Sequence, residues 1–182
     1  MHYVQDLTQP YHASVSPGNS AARLIGINAL AMVGLPKWKN EMIVLLSNRH
    51  LAMENYESAL IRSAAKTRTP SVLGATLHDT SLDSHYPAWT DRYVRDVVSK
   101  EAYDAGAATD RSLVNTLPAR YVSDPSFDFG VQSAKIDLMK ELATIDPAQR
   151  AHLDTTIAEL LGHFGVHSRA LVRSMLDGRP AK

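Results

Sequence analysis

The chain of 182 residues carries 19 basic and 19 acidic side chains, which excludes the strongly positive charge typical of a nucleic-acid-binding protein. We therefore expect no stable nucleic-acid partner. The length and the apolar fraction of 45% fit a single globular domain over residues 1–182. The absence of Cys excludes thiolate zinc sites, so any metal must be bound by nitrogen and oxygen, and the chain has eight His.

Helical patterns dominate the first third of the chain. The first residues predict one helical turn that ends at a Gln-Pro break, and the Gly-, Pro- and Ser-rich stretch 14–20 predicts a loop. Ser20 can cap a short apolar helix over about 21–34. A long helix is predicted from Lys37 to about Lys66, where apolar residues recur at helical spacing.

The remaining two thirds also predict helices. Residues 67–87 are rich in Pro, Gly, Ser, Thr and Asp, which predicts a mainly irregular connection. A second long helix is predicted over about 88–116, a shorter one over about 131–144, and a third long one over about 147–177 after an Asp-Pro pair typical of a helix start. Strand patterns are absent. The sequence therefore predicts an all-α, multi-helix bundle with three long helices.

The longest apolar stretch, from Leu24 to Leu35, has 12 residues. Because roughly 20 are needed to cross a bilayer, we expect no transmembrane segment. A buried helix that covers the bundle is the simpler interpretation of this stretch, and a peripheral contact with lipid is the alternative. Lys37, Trp38 and Lys39 follow it and form a small basic and aromatic spot that could lie at a membrane interface.

Five candidate metal ligands lie within the first 54 residues. His2 and Asp6 are four residues apart, as are His50 and Glu54, so each pair shares a helix face. His12 follows just after the Gln-Pro break. An imidazole and a carboxylate offered together suit a borderline metal such as zinc. Incidental polar residues on solvated helix faces are the alternative interpretation.

The order and spacing of these ligands point to a known family. The pattern H-Y-x-x-D-L-x-Q-P-x-H at residues 2–12, followed by H-x-x-x-E at residues 50–54, resembles the zinc-dependent phospholipase C and single-strand nuclease superfamily. Members of that superfamily are all-α and hold three zinc ions in a cleft between helices. The resemblance covers roughly residues 2–57, and the segment between the two motifs looks longer than in bacterial phospholipases.

The resemblance implies a distinct role for each ligand. His2 would bind one zinc of a close pair, and Asp6 would bridge that pair and take part in catalysis. The third zinc would be held by His12, His50 and Glu54. Divalent ions at such a site lower the pKa of a bound water and stabilise negative charge on a phosphoryl oxygen.

By this resemblance the protein is expected to be a zinc-dependent phosphodiester hydrolase that acts on a phospholipid or another phosphodiester. Glu54 favours the phospholipase C branch, because the nucleases of the superfamily usually carry Asp at the corresponding position. A single-strand nuclease or 3′-nucleotidase is the alternative. Its signature would be base stacking on Tyr3, Tyr11 or Trp38.

The other ligands of the family's zinc pair lie upstream of the motif. We therefore expect the chain to be the C-terminal portion of a longer domain and to bind one zinc, with a non-catalytic zinc-binding helical module as a third hypothesis. Family members are usually secreted or periplasmic, but no signal peptide is recognised here, so the sequence assigns no compartment.

Other polar clusters are weaker candidates. His163 and His167 are four residues apart without a carboxylate nearby in sequence, so packed or solvated histidines are the simpler interpretation. His152 is expected at the surface. The segment predicted to be irregular contains four further possible ligands, but residues of a loop have no fixed spacing that would bring them to one metal ion: His78, Asp79, Asp83 and His85.

Overall fold

The computed structural model describes residues 2–14, 17–66 and 72–178. Within these ranges the chain forms helices and no β-strand, which confirms the predicted all-α fold. The α-helices are α1 (His2–Leu7), α2 (Pro10–Ala13), α3 (Ala21–Met32), α4 (Lys37–Lys66), α5 (Val72–His78), α6 (Ser99–Thr116), α7 (Ala119–Val122), α8 (Phe129–Gln132), α9 (Leu138–Leu142) and α10 (Pro147–Leu176). Short 3-10 and π-helical turns complete the description: Ser81–His85, Val94–Val98 and Ser133–Lys135.

The three predicted long helices are confirmed as α4, α6 and α10, with 30, 18 and 30 residues. α4 begins directly after Pro36. α10 begins at Pro147, where the Asp146 carboxylate accepts a hydrogen bond from the backbone N–H of Ala148. α6 ends because Leu117, which precedes a proline, is held in an extended conformation.

The second long helix starts later than predicted. Residues 87–90 are not helical. The first helical residue is Tyr93, and the π-helical turn Val94–Val98 connects it to α6. The Trp89 ring stacks on the Tyr93 ring at 4.5 Å. This stacking packs the non-helical entry segment onto the first turn, so the regular α-helix begins only at Ser99.

The prediction of one helix over about 131–144 is wrong. The segment forms α8, a 3-10 turn and α9, separated by Ile136 in an extended conformation. Asp128 and Asp137 each accept a hydrogen bond from the backbone three residues on, so each caps a new short helix. These two local caps start two short helices in place of the one continuous helix that was predicted.

The connection predicted to be mainly irregular is partly helical. α5 packs on α10 with Leu73 buried, and the 3-10 turn Ser81–His85 follows it, whereas residues 67–71 lie outside the described ranges. Gly162 permits the close approach, because a Cβ there would lie 2.5 Å from Cγ2 of Thr76. Packing on a distant helix, rather than local sequence preference, therefore stabilises α5.

The core lies between α4, α6, the short helices α7–α9 and α10. α2 packs on α6, with Pro10 and Pro17 beside Gly106, and α1 lies against α10. The N-terminal helices are thereby held beside the middle of α4. The buried side chains of this core include Met53, Tyr56, Leu113, Tyr121, Phe129, Leu142, Leu153 and Ile157.

The apolar helix α3 does not cover the bundle, so the interpretation of Leu24–Leu35 as a buried helix is wrong. α3 packs along α4 and contains no buried residue. The chain turns back at Gly34 directly into α4, so α3 packs beside α4 as the first arm of a hairpin, and most of its other side chains are exposed. None of the described helices combines the length and apolar character that crossing a bilayer requires.

Candidate metal centre

Three of the predicted ligands converge between α2 and α4. Gln9 adopts an extended conformation and Pro10 starts α2, so the chain bends between α1 and α2 and directs His12 towards α4. His50 and Glu54 lie one turn apart on α4 and face His12. The fold thus brings together side chains from two helices, with His12 and His50 separated by 38 residues in the sequence.

The distances between the ligand atoms are short. The Nε2 atoms of His12 and His50 lie 2.9 Å apart, and Oε1 of Glu54 lies 3.1 Å from His50 Nε2 and 3.8 Å from His12 Nε2. These three groups could hold a metal ion, and among the described residues they form the one such group. The side chains are 28–41% exposed, so solvent or a further ligand can reach their shared centre.

A buried polar network lies behind His50. The Tyr11 ring stacks on the His50 ring with an interplanar angle of 6°, and its hydroxyl donates a hydrogen bond to Asp110 at 2.7 Å. Asp110 as a whole residue is 5% exposed, and its carboxylate pairs with the Arg49 guanidinium at 3.0 Å. Arg49 also donates a hydrogen bond to the Val122 carbonyl. Burial and the charge of Asp110 raise the pKa of Tyr11 far above its ordinary value, so the hydroxyl remains a donor.

A cavity of about 260 Å³ opens beside the three ligands. His12, Glu54 and Asp6 line one side of it. Asp6 thus reaches the same cavity, but its carboxylate is not in the converging group, and its bridging role stays a prediction. The side chain of His2 lies outside the described residues, so its ligand role also stays a prediction. The opposite wall is apolar and comes from α10: Ile157, Leu160, Leu161 and Phe164.

A third carboxylate in this cavity, that of Glu57, was not anticipated from the sequence. Glu57 lies one turn beyond Glu54 and accepts a hydrogen bond from the Gln9 side chain at 2.6 Å. Burial, with a smaller contribution from the negative charge of Glu54, raises the pKa of Glu57 to about 7, although the Gln9 hydrogen bond acts in the opposite direction. The cavity therefore holds a carboxyl group that can gain or lose a proton near neutral pH.

We expect Glu57→Gln to stabilise the metal-free protein at pH 8 but not at pH 4. The pKa is raised from 4.5 to about 7 by folding, so the ionised carboxylate costs the folded state about 3 kcal/mol. Wild-type stability should fall as the pH rises from about 4.5 to about 7, whereas the variant avoids this loss. Urea unfolding with a chelator present measures the difference at both pH values.

The matched control for this comparison is Glu159→Gln, which removes one negative charge from the exposed face of α10. This control should show no stabilisation at pH 8. A stability difference between the Glu57→Gln variant and wild type of equal size at pH 4 and pH 8 would contradict the burial of an ionisable Glu57.

No carboxylate lies near His163 and His167 in sequence, but the fold brings the distant Glu101 to both of them. Oε2 of Glu101 lies 2.8 Å from Nε2 of the buried His167 and 3.4 Å from Nδ1 of His163. Tyr86 donates to Glu101, and the Tyr93 hydroxyl lies 3.1 Å from His167 Nδ1. Burial opposes ionisation of Glu101, but its hydrogen bonds with His167 and Tyr86 hold its pKa below the ordinary value. This network connects the start of α6 to α10.

The remaining polar candidates do not converge on a metal. Asp83 accepts hydrogen bonds from Arg169 and Arg173, an arrangement that ties the 3-10 turn to α10 and holds the pKa of Asp83 below its ordinary value. His85 and His152 are exposed, as expected for His152. The side chain of His78 lies outside the described residues. No group that includes these residues meets the distance requirement for a metal site within the described part of the chain.

Comparison of the chain with protein-family models, with curated protein sequences and with solved structures found no match. The likeness to zinc-dependent phospholipases C therefore rests on the motif residues. The geometry of His12, His50 and Glu54 is an observation that does not depend on that likeness.

Proposed function

We propose that the protein is a zinc-dependent phosphodiester hydrolase of the phospholipase C type, with one zinc held by His12, His50 and Glu54. The observation that carries the proposal is the convergence of these side chains on one centre. Zinc bound tetrahedrally at about 2.0–2.2 Å places its ligand atoms about 3.3–3.5 Å apart. The observed separations of 2.9–3.8 Å span that value.

The type of ligand favours zinc over the common hard cations. Magnesium and calcium prefer oxygen ligands, whereas two imidazole nitrogens and one carboxylate oxygen suit zinc. Three protein ligands leave a fourth position open, which is the arrangement of catalytic rather than structural zinc sites. The exposure of the three side chains is consistent with such an open position.

The cavity beside the ligands supports phosphodiester hydrolysis. When bound, zinc would lower the pKa of a coordinated water and stabilise charge on a phosphoryl oxygen. Glu57 can hold a proton near neutral pH, and Asp6 adds a further carboxylate to the cavity wall. The role of Asp6 as a ligand of further zinc ions, together with His2, is part of the proposal.

The walls of the cavity favour a lipid over a nucleotide. Its apolar side offers Leu160, Leu161 and Phe164 to the hydrocarbon part of a substrate. Two of the three aromatic residues expected to stack on bases are placed differently: Tyr11 is packed on His50, and Trp38 lines another cavity. The side chain of the third, Tyr3, lies outside the described residues. The nuclease alternative therefore has less support from the described side chains.

Metal analysis and a substrate comparison test the proposal. We expect bound zinc in the purified protein and headgroup release from a phospholipid, with no cleavage of single-stranded DNA. Glu54→Gln should lose both zinc and activity, whereas Glu41→Gln, on the same helix but paired with Lys37, should keep both. One zinc per chain without hydrolysis of either substrate would contradict the hydrolase proposal and favour the non-catalytic module. Cleavage of DNA alone would favour the nuclease.

A further inference from the structure

Within the described part of the chain, α3 carries two apolar stripes, one packed on α4 and the other exposed. Leu24, Ile27 and Ala31 are half-buried and recur at helical spacing, as expected of the side that packs on α4. The other stripe points away from α4 and is exposed throughout, with Ile25 at 70% and Met32 at 88%. Its members are Ala22, Ile25, Ala29 and Met32.

The turn between α3 and α4 extends this exposed surface. Gly34, with φ of +88°, reverses the chain, and the Leu35 N–H donates to the Leu30 carbonyl at 3.0 Å. Val33, Leu35 and Trp38 protrude around this turn and are 74%, 55% and 58% exposed. We call the exposed apolar side chains of this region the hairpin patch: Ile25, Met32, Val33, Leu35 and Trp38.

The charge around the hairpin patch has one sign. Residues 21–40 include Arg23, Lys37 and Lys39 and no acidic residue. The next acidic residue in the sequence, Glu41, pairs with Lys37 at 3.8 Å, but the Lys37 side chain remains 77% exposed. The chain as a whole has no net charge, so this local excess of cations is a property of the hairpin.

We propose that the hairpin patch docks the protein onto an anionic lipid surface. The apolar side chains would enter the boundary between headgroups and acyl chains, with Trp38, Lys37 and Lys39 at headgroup level. A deformable bilayer can enclose a protruding tip on all sides, whereas a protein partner would need a matching groove. The exposure, the aromatic residue and the single sign of charge all agree with a membrane of anionic lipids.

Docking of the hairpin patch would also determine how far the metal centre lies from the lipid surface. Trp38 and His50 lie on the same helix, α4, and the rise of an α-helix places them roughly 18 Å apart along its axis. A docked hairpin would therefore hold the metal centre close to the lipid surface. The docking itself depends only on the patch and not on hydrolysis.

Vesicle sedimentation with a chelator present tests the docking separately from any metal-dependent activity. We expect binding to phosphatidylcholine vesicles that contain about 30 mol% phosphatidylserine. The double variant Ile25→Asn/Met32→Asn should bind at least about tenfold more weakly. The control Val131→Asn/Met175→Asn removes exposed apolar side chains elsewhere and should bind like wild type. Lys37→Ala/Lys39→Ala should lose the preference for anionic over pure phosphatidylcholine vesicles.

Tryptophan fluorescence provides a second readout. The chain has two Trp, so Trp89→Phe leaves Trp38 as the single reporter, and its emission should shift to the blue when vesicles are added. Unchanged emission, or equal vesicle binding by wild type and Ile25→Asn/Met32→Asn, would overturn the proposal. A wild-type dimer in gel filtration that the same double variant dissociates would also overturn it, because a second copy of the chain would then cover the patch.

Discussion

Replacing His50 with Ala should abolish stoichiometric zinc binding. His50 contributes the central ligand atom of the site, since its Nε2 lies within 3.1 Å of both His12 Nε2 and Glu54 Oε1. Loss of a hydrogen-bonding partner around a metal ligand typically costs about 10–100-fold in affinity, and loss of a ligand itself should exceed that range. Because zinc binds only the folded site, the stabilisation by added zinc should disappear as well.

Zinc content after dialysis and the melting temperature with and without zinc measure both effects. His152→Ala is the matched control, because it removes an exposed imidazole from α10. We expect this control to bind zinc and to respond to it like wild type. Unchanged zinc content in the His50→Ala protein would rule out the assigned ligand role.

The second large effect should come from Asp110→Asn, which removes the charged partner of Arg49. Arg49 and Asp110 are largely buried, with side chains 17% and 8% exposed. Breaking a buried ion pair by removing one partner costs about 3–5 kcal/mol, because the other charge is left without compensation. The substitution also weakens the anchor of Tyr11, whose ring supports His50, so we expect zinc affinity to fall by about 10–100-fold.

Urea unfolding of the metal-free protein and zinc titration of the folded protein separate these two consequences. Tyr11→Phe removes the same anchoring hydrogen bond but leaves the ion pair intact, so we expect a loss of only about 1 kcal/mol in stability together with a fall in zinc affinity comparable to that of Asp110→Asn. Asp104→Asn removes an exposed ion pair with Lys100 and should change stability by less than about 1 kcal/mol. Equal effects of Asp104→Asn and Asp110→Asn would contradict the structural role of the buried pair.

The long helices could be predicted because their boundaries are set by local chemistry. Pro36, Pro118 and the Asp-Pro pair at 146–147 delimit them, and each acts within one turn of the backbone. α5 could not be predicted, since it depends on packing against α10 at Gly162. The apolar composition of α3 predicted burial wrongly, because composition does not show whether a second element is available to cover a helix.

The same distinction between local sequence features and long-range contacts explains which parts of the metal centre could be predicted. His12, His50 and Glu54 could be identified as candidate ligands because helical spacing and a Gln-Pro break are local features, whereas their grouping around one metal was implied by the family resemblance. The groups around them could not, since Gln9 contacts Glu57 from 48 residues away and Tyr11 contacts Asp110 from 99 residues away. Such contacts leave no pattern in one sequence.

Anomalous diffraction tests the metal centre most directly, with data collected from zinc-loaded crystals at wavelengths on both sides of the zinc absorption edge. The expected result is an anomalous peak at about 2.0–2.2 Å from Nε2 of His12, Nε2 of His50 and Oε1 of Glu54. A peak elsewhere, such as beside Glu101 and His163, or no peak between α2 and α4, would contradict a metal centre at this position.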